Sequence, residues 1–269
     1  MWIGKLETEF PLGTDIGTDV GTAILITRPE NGMAHCLSAA HNFSVRIREE
    51  DDNTGYIKKS FRQFDAISAR FYPRLAKDKP VYECPVIMRS VKIHHKYYAS
   101  SASALFLPEN DLVVFAVEWE YEQPQWHDIK MNYHTMFEDI LIRLTGYAEY
   151  GDSYRAIGMF GTVDHVKLSP GSQGQSAGLL IYKNIATTPP QSGCQIEAFN
   201  APNYLKVAGR KTEALSKEEK GVVRKAKNVG IVGIHLHTSE KNKQSSACLI
   251  TKDKYDFVNE MINQNLTIL

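Results

Sequence analysis

Apolar residues in this chain arrive in short runs bounded by breakers. They are Thr22-Ala23-Ile24-Leu25-Ile26 after Gly21, Leu112-Val113-Val114-Phe115-Ala116-Val117 after Asn110-Asp111, Ile140-Leu141-Ile142-Arg143-Leu144 before Thr145-Gly146, and Val229-Gly230-Ile231-Val232-Gly233-Ile234. Runs this short, β-branched and stopped by Gly, Asn or Asp, fit buried strands better than core helices. The C-terminus breaks the pattern. There Tyr255, Val258 and Ile262 recur at helical spacing, as do Phe257 and Met261, which predicts an amphipathic helix packed on a β body.

A chain of 269 residues holds one large domain or two small ones. The polar and aromatic stretch from Glu118 to His127 separates two strand-rich halves and predicts a linker there, with units at 1–127 and 128–269. A second irregular stretch, Lys206 to Lys227, mixes many Lys and Arg with Glu213, Glu218 and Glu219. It reads as a solvated hairpin or short surface helix, with a basic patch for an acidic partner as the alternative.

Charge and cysteine usage exclude several classes. The 31 Lys and Arg offset 31 Asp and Glu, so no bulk attraction to nucleic acid or to an anionic membrane is implied. No run approaches the roughly 18 apolar residues of a membrane span. The opening Met1-Trp2-Ile3-Gly4-Lys5 has neither the basic nor the apolar region of a secretory leader, so a cytoplasmic protein is expected. Cys36, Cys84, Cys194 and Cys248 are scattered without C-x-x-C spacing, which favours reduced thiols over disulfides. Neighbouring pairs such as His35-Cys36, His94-His95 and His235 with His237 lack a matching second pair, so neither a metal nor a cofactor is expected.

Three segments carry chemistry when taken together. Cys36-Leu37-Ser38-Ala39-Ala40-His41 places a histidine at a strand end, where its ring can face a cleft. Glu109-Asn110-Asp111 leads into a buried strand, and Asp111 there can hold an imidazole in one tautomer. Thr187-Thr188-Pro189-Pro190-Gln191-Ser192-Gly193-Cys194 is a tight turn carrying a hydroxyl, followed by Gly233-Ile234-His235-Leu236-His237-Thr238. Each alone passes for turn chemistry or a structural histidine. A base, an orienting acid and a hydroxyl in the order His, Asp, Ser suit a cleft between two β-barrels that each supply part of the site.

On these segments the chain resembles the chymotrypsin-fold peptidases, and within them the staphylococcal glutamyl endopeptidase-like group. Gly21 to Ile26 and Leu37-Ser38-Ala39-Ala40-His41 are similar to the family's strand and His motif. Ile93-His94-His95-Lys96-Tyr97 with Asn110-Asp111-Leu112 resembles its His-Pro-x-Tyr and Asp-hydrophobic pattern. Leu144-Thr145-Gly146-Tyr147 resembles its Thr-Gly-Tyr-Pro strand, Ile181-Tyr182 to Ser192-Gly193 its nucleophile loop, and Gly233-Ile234-His235 the strand lining the specificity pocket.

The resemblance implies an all-β fold of two antiparallel β-barrels with a C-terminal α-helix. It also implies a serine endopeptidase with a peptide or protein substrate. Ser192 would be the nucleophile, His41 the general base and then acid, and Asp111 the residue orienting His41. Thr187 and His235 would hydrogen-bond an acidic or amide side chain, implying cleavage after Glu or Gln. No oligomeric state is implied.

The sequence departs from the family at the oxyanion loop. Pro190 stands where the family has a glycine whose N–H stabilises the oxyanion, and proline has no N–H. Losing one such donor typically costs about 10²–10³ in turnover. Cys194-Gln195 replaces the expected Ser-Pro or Gly-Pro behind Gly193. Two alternatives therefore stand beside the serine peptidase: a silent pseudoprotease that binds a peptide or protein, and a cysteine endopeptidase acting through Cys194.

Overall fold

The structure is a computed structural model that describes residues 3–12, 15–50, 57–73, 82–98, 107–121, 130–131, 140–150, 153–168, 178–185, 187, 191–200, 207–225, 227–239 and 244–268. Of the predicted linker, residues 122–127 and the 127/128 boundary lie outside the described residues, while Glu118 still belongs to a strand and Trp119 packs in a core, so the start of that stretch is part of the first half and not linker. No helix among them is long and apolar enough to cross a membrane.

All four apolar runs fall in strands. The first half comprises β1 (Ile3–Leu12), β2 (Asp15–Leu25), β3 (Met33–Ser38), β4 (Ser44–Glu50), β5 (Ile57–Asp65), β6 (Ser68–Pro73), β7 (Cys84–Pro85), β8 (Lys92–Ile93) and β9 (Val113–Glu118). Its main sheet has the order β7-β6-β1-β2-β3-β9-β8, with β4 and β5 pairing separately. This sheet rolls almost onto itself. An isolated bridge joins Val86 to Val117, and the Ile87 N–H donates to the Ala116 carbonyl at 2.9 Å, so the chain leaving β7 meets β9. Pro85 ends β7 and contributes no N–H, which explains why closure rests on a bridge rather than a long ladder.

The second half comprises β10 (Leu141–Tyr150), β11 (Ser153–Leu168), β12 (Gly178–Lys183), β13 (Gln195–Asn200), α1 (Lys217–Lys225), β14 (Lys227–Ser239), β15 (Gln244–Leu249) and α2 (Lys252–Ile268). Its strands form a closed barrel in the order β10-β11-β12-β15-β14-β13. The Glu197 carboxylate locks three of them in register. It accepts Arg143 Nε at 2.8 Å from β10 and Asn228 Nδ2 at 3.2 Å from β14. The α1 segment bears out the expected short surface helix, and Arg210, in the basic stretch before it, pairs with Glu219.

Each half has its own core, and a third core joins them. Ile24, Leu37, Leu112 and Val114 of the first half meet Ile231, Ile234, Leu236 and Cys248 of the second, with Val258 and Met261 of α2 sealing the seam. The apolar face expected for the terminal helix is the one that packs here, each buried Val or Leu contributing about 1.5–3 kcal/mol. The helix also ties back to the first half by polar contacts. Asn265 Nδ2 donates to the Ser90 carbonyl at 3.3 Å, and Lys96 Nζ reaches Asp253 at 3.1 Å. The three segments singled out for chemistry emerge along this seam.

Candidate active site

Strand β3 runs out at Ser38, and a single 3₁₀ turn, Ala40–Asn42, turns His41 out of the sheet. The chain before β9 makes a matching turn, Pro108–Asn110, whose proline sits in the first turn where no N–H is needed. That turn delivers Asp111, which is 1% exposed. Both of its carboxylate oxygens are used by one residue. Oδ1 accepts the His41 backbone N–H at 3.0 Å, and Oδ2 lies 2.7 Å from His41 Nδ1. Nδ1 is therefore the protonated nitrogen, and Nε2 presents its lone pair.

The electrostatics of His41 follow from this pairing. Burial alone pushes its pKa down, but the charge and hydrogen bond of Asp111, with a further contribution from Asp19, outweigh burial and leave it above the ordinary histidine value.

The nucleophile loop is fixed from both halves of the molecule. The Ser192 carbonyl accepts the Thr22 N–H at 2.8 Å and Asn42 Nδ2 at 3.3 Å. On the other side the Gly193 N–H donates to the His235 carbonyl at 2.9 Å, and the Cys194 N–H to Gln191 at 3.0 Å. Gly193 has φ +87°, and a Cβ on it would lie 2.2 Å from both Thr22 O and Ser38 Oγ, so only glycine fits. Pro190, like Thr188 and Pro189, lies outside the described residues. Gln191 is buried beside the turn.

Ser192 and His41 line the same cleft of about 390 Å³. The Ser192 hydroxyl donates to the Leu236 carbonyl at 2.8 Å, and among the described residues no hydrogen bond joins it to His41. Among the described residues the Ser192 N–H has no hydrogen-bond partner.

Cys194 does not share this position. Its side chain is fully buried in the core of the closed barrel, packed so closely on Gly146 that a Cβ there would meet its sulfur at 2.9 Å. Burial pushes its thiol well above the ordinary cysteine value, which suppresses the thiolate. The expectation of Cys194 as an alternative nucleophile is corrected on this ground.

Thr187 and His235 both line the cleft, as expected. His235 is 1% exposed, and burial first, then the nearby His237 and His41, push its pKa down to about 3. The ring is thus neutral. Its Nδ1 contacts the hydroxyl of Tyr182, whose ionisation burial pushes well up, so the contact joins two neutral groups. Thr187 Oγ1 bonds Thr238 Oγ1, which in turn meets Ser245 Oγ at 2.7 Å.

Sequence reasoning missed the supports of this arrangement. Ser38 Oγ donates to the Thr22 carbonyl at 2.7 Å, Asn42 Nδ2 reaches Ser38 Oγ at 2.9 Å, and Thr22 Oγ1 accepts the Tyr147 N–H at 3.0 Å across the two halves. The buried positions of Ser38 and Thr22 in otherwise apolar strands were the available signal. Also missed was Asp253, which with His94 and His95 places three ligand atoms within 4.8 Å of one another. Lys96 already occupies Asp253 Oδ2, and the buried Lys254 adds positive charge near His94, so this cluster is better suited to pairing α2 with the 94–98 loop than to a cation.

No family model and no curated protein sequence matches the chain. Among solved structures, it is similar to a Glu endopeptidase bound to MPD. The TM-score is 0.53 with 14% identity, over 95% of this chain and 88% of that one. An HtrA-type protease, AlgW, with a tripeptide gives 0.49 and 13%, over 98% of this chain and 60% of that one. The protease of tobacco etch virus, in a catalytically inactive form with substrate, gives 0.45 and 12%, over 96% and 81%. With the topology above, the first of these shows that the chain has the chymotrypsin-like peptidase fold.

Proposed function

We propose that this protein is a serine endopeptidase working through His41, Asp111 and Ser192, with Glu or Gln favoured before the scissile bond. The observation that carries the reading is the Asp111–His41 pair facing Ser192 across one cleft. In the reaction the Ser192 hydroxyl leaves the Leu236 carbonyl and turns to His41, exchanging one neutral hydrogen bond worth about 0.5–1.5 kcal/mol for another. His41 Nε2 takes the Ser192 proton as Oγ attacks the carbonyl, then returns it to the leaving amine. Water repeats the sequence to release the acyl group. Asp111 holds the Nδ1–H tautomer and stabilises the imidazolium. The Ser192 N–H donates to the oxyanion, and Pro190 withholds the second donor, which sets a slow turnover.

With Tyr182 donating to Nδ1, the neutral His235 presents Nε2–H to an acceptor on the substrate side chain. The amide oxygen of Gln meets it without burying a charge, whereas Glu brings a carboxylate with no Lys or Arg among the described lining residues to offset its desolvation. Peptides differing only in Gln, Glu, Asp or Lys before a single bond, digested and mapped by mass spectrometry, test the reading. Cleavage after Gln and Glu that vanishes in His41→Ala supports it; cleavage at other residues, or persisting in His41→Ala, overturns it. The placement of the Ser192 hydroxyl on Leu236, with one oxyanion donor missing, favours a second reading, a peptide-binding module without turnover. Peptide binding with no cleavage by the wild-type protein would select it.

A further inference from the structure

The wall of the cleft beside His41 is acidic, and nothing in the reading above uses it. It is formed by Asp19 and Val20 of β2. Asp19 is exposed, and its Oδ1 accepts the Val20 N–H at 2.9 Å. Among the described residues it has no cationic partner. The acids of the neighbouring strand β1 differ: Lys5 pairs with Glu7, and Arg70 with Glu9 at 3.3 Å. Among the described residues Asp19 is thus a carboxylate without a counter-ion on the rim of the site.

Its position is fixed relative to the nucleophile. Three residues on, the Thr22 N–H holds the Ser192 carbonyl, and a side chain at Gly21 would lie 2.5 Å from the Asn42 amide, so the strand packs directly on the turn that carries His41. Three residues of extended strand put Asp19 about 10 Å along from that anchor. The charge of Asp19 is felt at His41. A base that gives its proton to the leaving amine marks the leaving-group side of Ser192. Thr187 and His235 mark the acyl side. Asp19 therefore faces the part of a bound peptide that follows the scissile bond.

We propose that Asp19 makes this wall a subsite for a Lys or Arg side chain at the first or second residue after the scissile bond. The proposal rests on the peptidase reading for its orientation. Because Asp19 is solvent-exposed, the preference is modest: an exposed ion pair discriminates by about 1.5- to 5-fold, and the effect fades with salt.

The test uses peptides identical except for Lys, Gln or Glu at those two positions. They are assayed for cleavage by the wild-type and Asp19→Asn proteins, and for binding to Ser192→Ala and Ser192→Ala/Asp19→Asn by fluorescence anisotropy. Ratios between peptides are compared, so a general change in His41 basicity cancels. The expected result is Lys over Gln over Glu, each step about 1.5- to 5-fold, with the order lost in Asp19→Asn and compressed as salt shortens the screening length. Equal ratios across the peptides, or a preference unchanged by Asp19→Asn, overturns the proposal. Binding that prefers Lys through Asp19 with no cleavage by the wild-type protein overturns the peptidase reading and leaves the basic subsite standing. Neither binding nor cleavage of any peptide overturns both.

Discussion

The two sides of the candidate site differ in how completely they are assembled. On one side, Asp111 spends both carboxylate oxygens on His41, through backbone and ring, and the pair is in position before any substrate arrives. On the other, the backbone of the Ser192 loop is anchored from both halves of the molecule while its hydroxyl is committed to Leu236. The base is preorganised and the nucleophile is only half so. A buried carboxylate has to be fully hydrogen-bonded for the fold to tolerate it, whereas a partly exposed hydroxyl can change partner at small cost. On the proposed peptidase reading, the difference places the limit on turnover at Ser192 and its oxyanion donors rather than at the base.

The largest effect should come from breaking the assembled side. Asp111→Asn preserves shape but permits the wrong tautomer, and a fall in kcat of about 10⁴ is expected. The pH profile adds a signature. Asp111 holds the His41 pKa up, so the acid limb of kcat/KM lies above pH 6.5 in the wild type and moves to lower pH in Asp111→Asn, where burial acts without its main opponent. A limb that stays in place would mean His41 is not the titrating base.

Completing the unassembled side should do the opposite. Pro190→Gly supplies an N–H at the position where the family resemblance puts the second oxyanion donor, and on the proposed reading kcat should rise by up to about 10²–10³. Unchanged kcat in a folded Pro190→Gly protein would show that the loop offers no oxyanion site there. Gly193→Ala strains the same loop through its positive φ and the 2.2 Å approach of Thr22. It should lower unfolding stability by about 1–3 kcal/mol or more, read by denaturant titration. Asn42→Ala loosens the clamp between base turn and nucleophile loop. Two lost hydrogen bonds predict about a ten-fold fall in kcat with KM little changed. The smallest effect concerns His235: the Gln-to-Glu cleavage ratio should fall as pH is lowered through the Glu carboxyl range, near 4.3, because the protonated side chain no longer buries a charge.

The same contrast shows what the sequence made legible. Strands such as β9 (Val113–Glu118) and the helix of Tyr255, Val258 and Ile262 were readable because burial imposes a period of its own on each segment. His41, Asp111 and Ser192 were readable as a set through their motifs, and the fold brings His41 and Asp111 into contact across 70 residues. The supports were not. Asn42 meets Ser192 across 150 residues, and Tyr182 meets His235 between strands that no local pattern pairs. A single polar residue in an apolar strand carries no mark of its partner. Cys194 was ambiguous for the same reason, since only its packing on Gly146 decides which way its sulfur faces.

The central claim is that the Asp111–His41 pair activates Ser192 despite the missing donor. The direct measurement is reaction with a fluorophosphonate followed by intact mass, on the wild type, Ser192→Ala, His41→Ala and Cys194→Ala. The account predicts one adduct on the wild type and on Cys194→Ala, none on Ser192→Ala, and labelling slowed by orders of magnitude in His41→Ala. An unlabelled wild type, or an adduct that persists in Ser192→Ala, would contradict it.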